Sequence, residues 1–196
     1  MKKLFIVSAA ILVAAGLSQA QITGSLHDFS GDSWNGTGQI CVVCHTPHTQ
    51  AAFVKPLWNR TPSSATYTPY GTTTLGTAAG TPAGSSLVCL SCHDGTVGLG
   101  NFGGTTGDTT LVTGIYNIGT DLRNDHPISV TYTADATHAL RATTTELKTG
   151  FTIAQALEGG QVQCGTCHAV HNESDEDKLL HSTNTASALC LKCHIK

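Results

Sequence analysis

The chain has a single methionine, Met1, in 196 residues. Residues 1–20 read as a secretory signal peptide. Lys2 and Lys3 form a basic start, residues 4–17 an apolar stretch, and Ser18-Gln19-Ala20 a small-residue cleavage site. Cleavage after Ala20 leaves 176 of the 196 residues and takes the methionine with it. No thioether side chain then remains to ligate a metal. The apolar stretch is short of the roughly 20 residues a bilayer requires, and no other stretch is long enough to span one. Basic residues are also scarce. Without Lys2 and Lys3 the chain carries 8 Lys and Arg against 13 Asp and Glu, a formal charge of −5. No basic patch stands out, which argues against a nucleic-acid partner. So few lysines also argue against a lysine-rich docking surface. Large apolar residues are few: Leu, Ile, Val and Phe number 35 in the 176, about a fifth, near the low edge for a conventional core. Glycine and threonine are abundant, and regular apolar periodicity is hard to find. No cysteine is spare, because all eight fall in one repeated pattern.

That pattern is Cys-x-x-Cys-His. It occurs at Cys41-Val42-Val43-Cys44-His45, Cys89-Leu90-Ser91-Cys92-His93, Cys164-Gly165-Thr166-Cys167-His168 and Cys190-Leu191-Lys192-Cys193-His194. It is the attachment signature of a c-type haem. Two thiols meet the two vinyl groups of one porphyrin as thioethers, and the following histidine is placed under the iron as proximal ligand. One copy alone would also fit a redox dithiol or half of a zinc ribbon. Four copies that share the histidine favour four covalent haems, and nothing is left for a disulfide, a zinc site or a catalytic thiol. Export agrees with this, since covalent haem attachment takes place outside the cytoplasm.

The proximal ligands are then His45, His93, His168 and His194. Without methionine the sixth ligand is histidine or is missing, and all-histidine ligation predicts low potentials. Six histidines remain: His27, His48, His126, His138, His171 and His181. His171 lies three residues after His168, on the same side of a short helical turn. Tied to that backbone, it is better placed for a neighbouring haem than for the far face of its own. His48 repeats the arrangement in His45-Thr46-Pro47-His48. His126 sits in the turn-forming Asn124-Asp125-His126-Pro127, on a stiff loop. His27 lies on a polar arm 14 residues before Cys41. These four are the distal candidates. His181 ranks behind them, and His138 reads as an ordinary surface histidine.

One mature domain, residues 21–196, is expected. It has haem modules at 41–93 and 164–194 and a haem-free β and loop segment at 94–163. The fold class is mostly coil with a few short helices and a small β element. The porphyrins supply the apolar surface that the side chains lack, so the chain without haem should be largely unfolded. Residues 61–86 and 95–107 read as loop. Residues 111–118 and 128–133 read as strands that pair with each other. Residues 134–141 are helix-compatible, 151–158 read as a short helix ended by Gly159-Gly160, and 186–195 as a helix that carries the last motif. Trp58 is expected to pack beside a porphyrin edge.

Together with Pro56-Leu57-Trp58-Asn59, Leu90-Ser91-Cys92-His93-Asp94-Gly95, Asn124-Asp125-His126-Pro127-Ile128-Ser129 and the final Leu189-Cys190, the haem motifs carry a resemblance. The chain looks like the doubled-CXXCH multihaem cytochromes. More narrowly, it is similar to the tetrahaem c-type cytochromes that polymerise into extracellular electron-conducting filaments. The resemblance covers nearly the whole mature chain. It implies coil wrapped round a stack of bis-histidine haems, with subunits joined head to tail. It also implies His48, His126 and His171 as distal ligands, and His27 as the ligand given to an adjacent subunit or kept for its own. The expected activity is electron transfer with other redox proteins, not enzymatic turnover. The location is outside the cell or at its surface. A soluble periplasmic shuttle would use the same haems without polymerising. A multihaem reductase would need a five-coordinate haem with an open face.

Overall fold

The computed structural model describes residues 21–48, 57–71, 75, 78–135, 139–174 and 176–196. The signal segment, Pro56 and His138 lie outside the described residues. Most of the described chain is coil. Among the described residues the α-helices are α1 (Gly84–His93), α2 (Ile153–Ala156), α3 (Cys164–Cys167) and α4 (Cys190–Cys193). Four strands are β1 (Val130–Thr131), β2 (Glu146–Lys148), β3 (Phe151–Thr152) and β4 (Gln161–Val162). They form two antiparallel pairs, β1 with β4 and β2 with β3, in separate sheets. Such an arrangement agrees with a small haem-cored cytochrome and with the expected fold class.

Three local expectations are corrected. Residues 111–118 form no strand; they carry a 3-10 turn, Gly114–Tyr116, and leave Leu111, Ile115 and Tyr116 exposed. The strand at 128–133 shrinks to Val130–Thr131 and pairs with Gln161–Val162 instead. Of 134–141, the described part is turn and coil, with no helix. Two helices are shorter than expected. Residues 151–158 open as β3 before α2, whose first turn is fixed by a reciprocal Thr152–Gln155 capping box. At the C-terminus only Cys190–Cys193 is α-helical.

The side-chain core is small and split in two. Tyr67, Leu90 and Leu122 form one cluster; Leu147, Ile153 and Leu189 form the other. Cys167 and Cys193 pack against the second, which ties the third and fourth motifs to it. Polar contacts join α1 to α3. Buried Ser86 donates to Gln163 Oε1 at 2.6 Å and accepts from the Cys164 N–H at 3.0 Å, while Ser129 donates to the same Gln163 oxygen at 3.1 Å. Gly84 begins α1 at φ +53°, and a Cβ there would lie 2.8 Å from the Glu158 carboxylate, whose Oε2 accepts from the Ser85 N–H. Only glycine suits that position on both counts.

One backbone device recurs at three of the four motifs. After the first motif, the Thr46 N–H donates to the Leu57 carbonyl and the Asn59 N–H donates to the Cys44 carbonyl. After the third, Ala169 donates to Leu179 and His181 to Cys167; after the fourth, Ile195 donates to Ala139 and Arg141 to Cys193. Each places an antiparallel bridge on a motif histidine: His45 with Trp58, His168 with Leu180 and His194 with Leu140. In each clip the first residue of the clasping segment is left-handed: Leu57 at φ 64°, Leu179 at 55° and Ala139 at 53°. That conformation costs an L-residue about 1–2 kcal/mol. Three independent occurrences mark it as a repeated requirement of holding the motif end. The second motif is held differently, with the Ile118 and Gly119 N–H groups both donating to the His93 carbonyl.

Candidate haem-iron histidine sites

Each clip or turn presents one histidine side chain outward from a fixed motif end. His45, His168 and His194 are exposed and His93 is half-buried. Three of the four face a second imidazole. The ring centres of His45 and His171 are 6.0 Å apart, those of His93 and His27 6.2 Å, and those of His194 and His126 6.3 Å. Two metal–nitrogen bonds of about 2 Å, plus the step from each nitrogen to its ring centre, amount to about 6 Å. Two imidazoles sharing one axis are free to differ in rotation about it, so interplanar angles of 23°, 45° and 68° are all compatible with one metal between each pair. Among the described residues no group of three or more His, Cys, Asp or Glu is gathered round a point. The histidines come in facing pairs.

Second contacts select which ring nitrogen keeps its lone pair. His93 Nδ1 is 2.7 Å from the Tyr116 carbonyl, His168 Nδ1 3.0 Å from that of Lys178, and His126 Nδ1 3.0 Å from that of Pro127. A carbonyl can only accept, so in each ring Nδ1 donates and Nε2 keeps its lone pair, the usual arrangement behind a ligating histidine. His27 is bonded to the Val170 carbonyl. The arm that carries it is pinned beside the third motif, by the Gln21 N–H on the His171 carbonyl at 2.9 Å and Asn172 Nδ2 on the Gln21 carbonyl at 3.1 Å. Phe29 and Trp34 continue the aromatic contact away from His27. Burial, then the proximity of His93, pushes the His27 pKa down to about 4. Burial also lowers His45 and His194, each with its facing histidine as second cause. These rings stay neutral at pH 7, the form that binds iron.

His181 differs. It is buried, its Nε2 donates to the Gly165 carbonyl at 3.1 Å, and its Nδ1 has no partner. Its ring packs on Phe151 with centres 4.8 Å apart. With Nε2 committed, it reads as a packing residue. His48 is exposed, and among the described residues no second imidazole faces it or His168 at the spacing of the other pairs. Trp58 lies edge-on to His45 with centres 6.3 Å apart, and its buried Nε1 has no partner. These placements fit a porphyrin against the first motif.

All eight cysteines are free thiols. Thiols of different motifs lie near enough to feel one another: Cys44 with Cys92, and Cys167 with Cys193. Cys89 and Cys164 are hydrogen-bonded, which raises Cys89 and lowers Cys164 to about 7. Burial pushes Cys44 up to about 12. The residue sequence reasoning missed is Arg60. It is buried at 4 % exposure, with its charge reaching Cys44 and Cys92. Its only sequence signal is its place directly after Trp58-Asn59.

A family model described as "Doubled CXXCH motif" matches residues 155–196, the stretch that holds the third and fourth motifs. The match supports a multihaem c-type cytochrome family, covalently bound c-type haem and a role in electron transfer. No curated protein matches the chain. No helix among the described residues is long and apolar enough to cross a membrane.

Proposed function

We propose that the mature chain is one domain carrying four covalent haems, each iron held by two histidines, and that copies join head to tail as an exported filament for long-range electron transport. What supports the ligation is the three histidine pairs at 6.0–6.3 Å. They assign His45 with His171, His93 with His27 and His194 with His126. The chain's residues grip the iron from both faces and leave no coordination position for a substrate. The protein then relays electrons and does not turn over a small molecule.

The pairs also redirect the expected contact between copies. The resemblance offers His27 either to the neighbour or to its own chain, and His27 lies beside His93 of its own chain. One proximal histidine, His168, and one motif-borne candidate, His48, are left over. His48 is exposed at the end of the first motif. In this reading His48 of one copy completes the iron at His168 of the next. Such a contact joins two different surfaces and does not close on itself, which is the geometry of an open fibre.

The test is His48→Ala in the exported, haem-loaded protein. It should retain four haems by mass, show one high-spin haem, and run as monomer where the unaltered protein forms filaments by electron microscopy. Filaments of normal length from the variant would overturn the assignment of His48. Monodisperse monomer from unaltered protein would favour the soluble shuttle.

A further inference from the structure

Among the described residues Arg60 is a buried cation close to the first two motifs, and the proposed ligation does not use it. Its Nη1 donates to the Leu99 carbonyl at 2.7 Å and its Nη2 to the Gly98 carbonyl at 3.1 Å. Its Nε is buried without a partner. Among the described residues no carboxylate pairs with it. A guanidinium cannot shed its proton at ordinary pH. A buried, unneutralised charge costs several kcal/mol unless something compensates it. Two carbonyls are all the surrounding chain offers.

Its place in the fold points to the use of that charge. Asn59, the preceding residue, donates its N–H to the Cys44 carbonyl at 3.0 Å as part of the first clip. Gly98 and Leu99 follow the second motif, five and six residues beyond His93. Arg60 therefore ties the clip of the first motif to the loop that follows the second. Asp94, directly after the second motif, is a buried carboxylate with partners of its own. It accepts from Ser63, from the Tyr67 hydroxyl at 2.7 Å and from the Thr96 N–H and hydroxyl, each at 2.8 Å.

We propose that Arg60 is a potential-setting residue: a buried positive charge between the first two haem attachments that favours the reduced state of those two haems over the other two. The reasoning is Coulombic. Reduction adds one negative charge to each haem, and a fixed cation in a poorly screened interior stabilises that addition. The inference rests on the haem reading above.

The experiment compares Arg60→Met, Arg60→Lys and unaltered holoprotein by spectroelectrochemical titration, with haem count and low-spin spectrum recorded on each sample. In the unaltered protein two of four haems should titrate above the other two. Arg60→Met should lower the equilibrium constant for reduction of those two by tenfold or more, which is 59 mV for one electron. The other two should not move, and Arg60→Lys should largely preserve the split. Four haems of one potential in the unaltered protein would overturn the proposal even if Arg60→Met failed to fold. So would an Arg60→Lys shift as large as that of Arg60→Met, which is the mark of a purely structural brace. Fewer than four haems in the unaltered protein would instead count against the haem reading.

Discussion

Removing His27 tests the ligand assignment most directly, because its partner is visible in the same chain. In His27→Ala, His93 keeps its carbonyl contact to Tyr116 and still holds its iron from one side. The ring centres were 6.2 Å apart, so the vacated side is about 3 Å deep from iron to the former ring centre, given a metal–nitrogen bond of about 2 Å. That is room for a diatomic ligand or an added imidazole. The expected result is one high-spin haem among the four motifs and uptake of one carbon monoxide per chain, against none in the unaltered protein. Added imidazole should restore the low-spin spectrum. Phe29 and Trp34 still hold the arm, so the fold should persist and filaments should still form. Carbon monoxide binding and low-spin titration on purified holoprotein read both quantities. A variant that stays fully low-spin, or one that keeps its ligation but loses polymerisation, would refute the pairing of His27 with His93.

Two further outcomes follow from the packing. Ile153→Ala empties a fully buried position between Leu147 and Leu189. It should cost about 2–5 kcal/mol in denaturant unfolding, leaving the haem spectrum unchanged. His181 gives a pH effect. Burial lowers its pKa below the ordinary histidine value, so under acid the unfolded chain binds the proton first. Its share of stability is whole above about pH 6.5, falls as pH drops beneath that, and levels off below the folded value. His181→Gln should flatten that part of the acid slope while leaving all four haems low-spin; an unchanged slope would count against a buried neutral imidazole.

The four Cys-x-x-Cys-His motifs were legible because their residue types recur at a short, fixed spacing. The closeness of His171 to His45, and of His126 to His194, was not. It depends on contacts spanning much of the chain, with no local period to announce them. The clips were hidden for a related reason. Nothing in Leu57, Leu179 or Ala139 advertises a left-handed backbone, which glycine or asparagine usually signals. Residues 111–118 misled because exposed Leu111, Ile115 and Tyr116 mimic a strand's composition. Apolar residues here are patterned for surfaces other than the pleat of a sheet.

The scarcity of regular structure and the placement of the motifs have a common cause. A sheet or helix satisfies its backbone locally but holds its side chains on a fixed lattice. Here the backbone after three of the four motifs is satisfied by a clip of two hydrogen bonds, which leaves the motif histidine exposed. Sulfurs of different motifs are neighbours: Cys44 with Cys92, Cys89 with Cys164, and Cys167 with Cys193. The two cysteines outside these neighbour pairs, Cys41 and Cys190, are the two exposed ones. A relay needs neighbours close together inside and exchange points at its ends. In the proposed relay the exposed Cys41 and Cys190 would mark the exchange points and the less exposed sulfurs the interior.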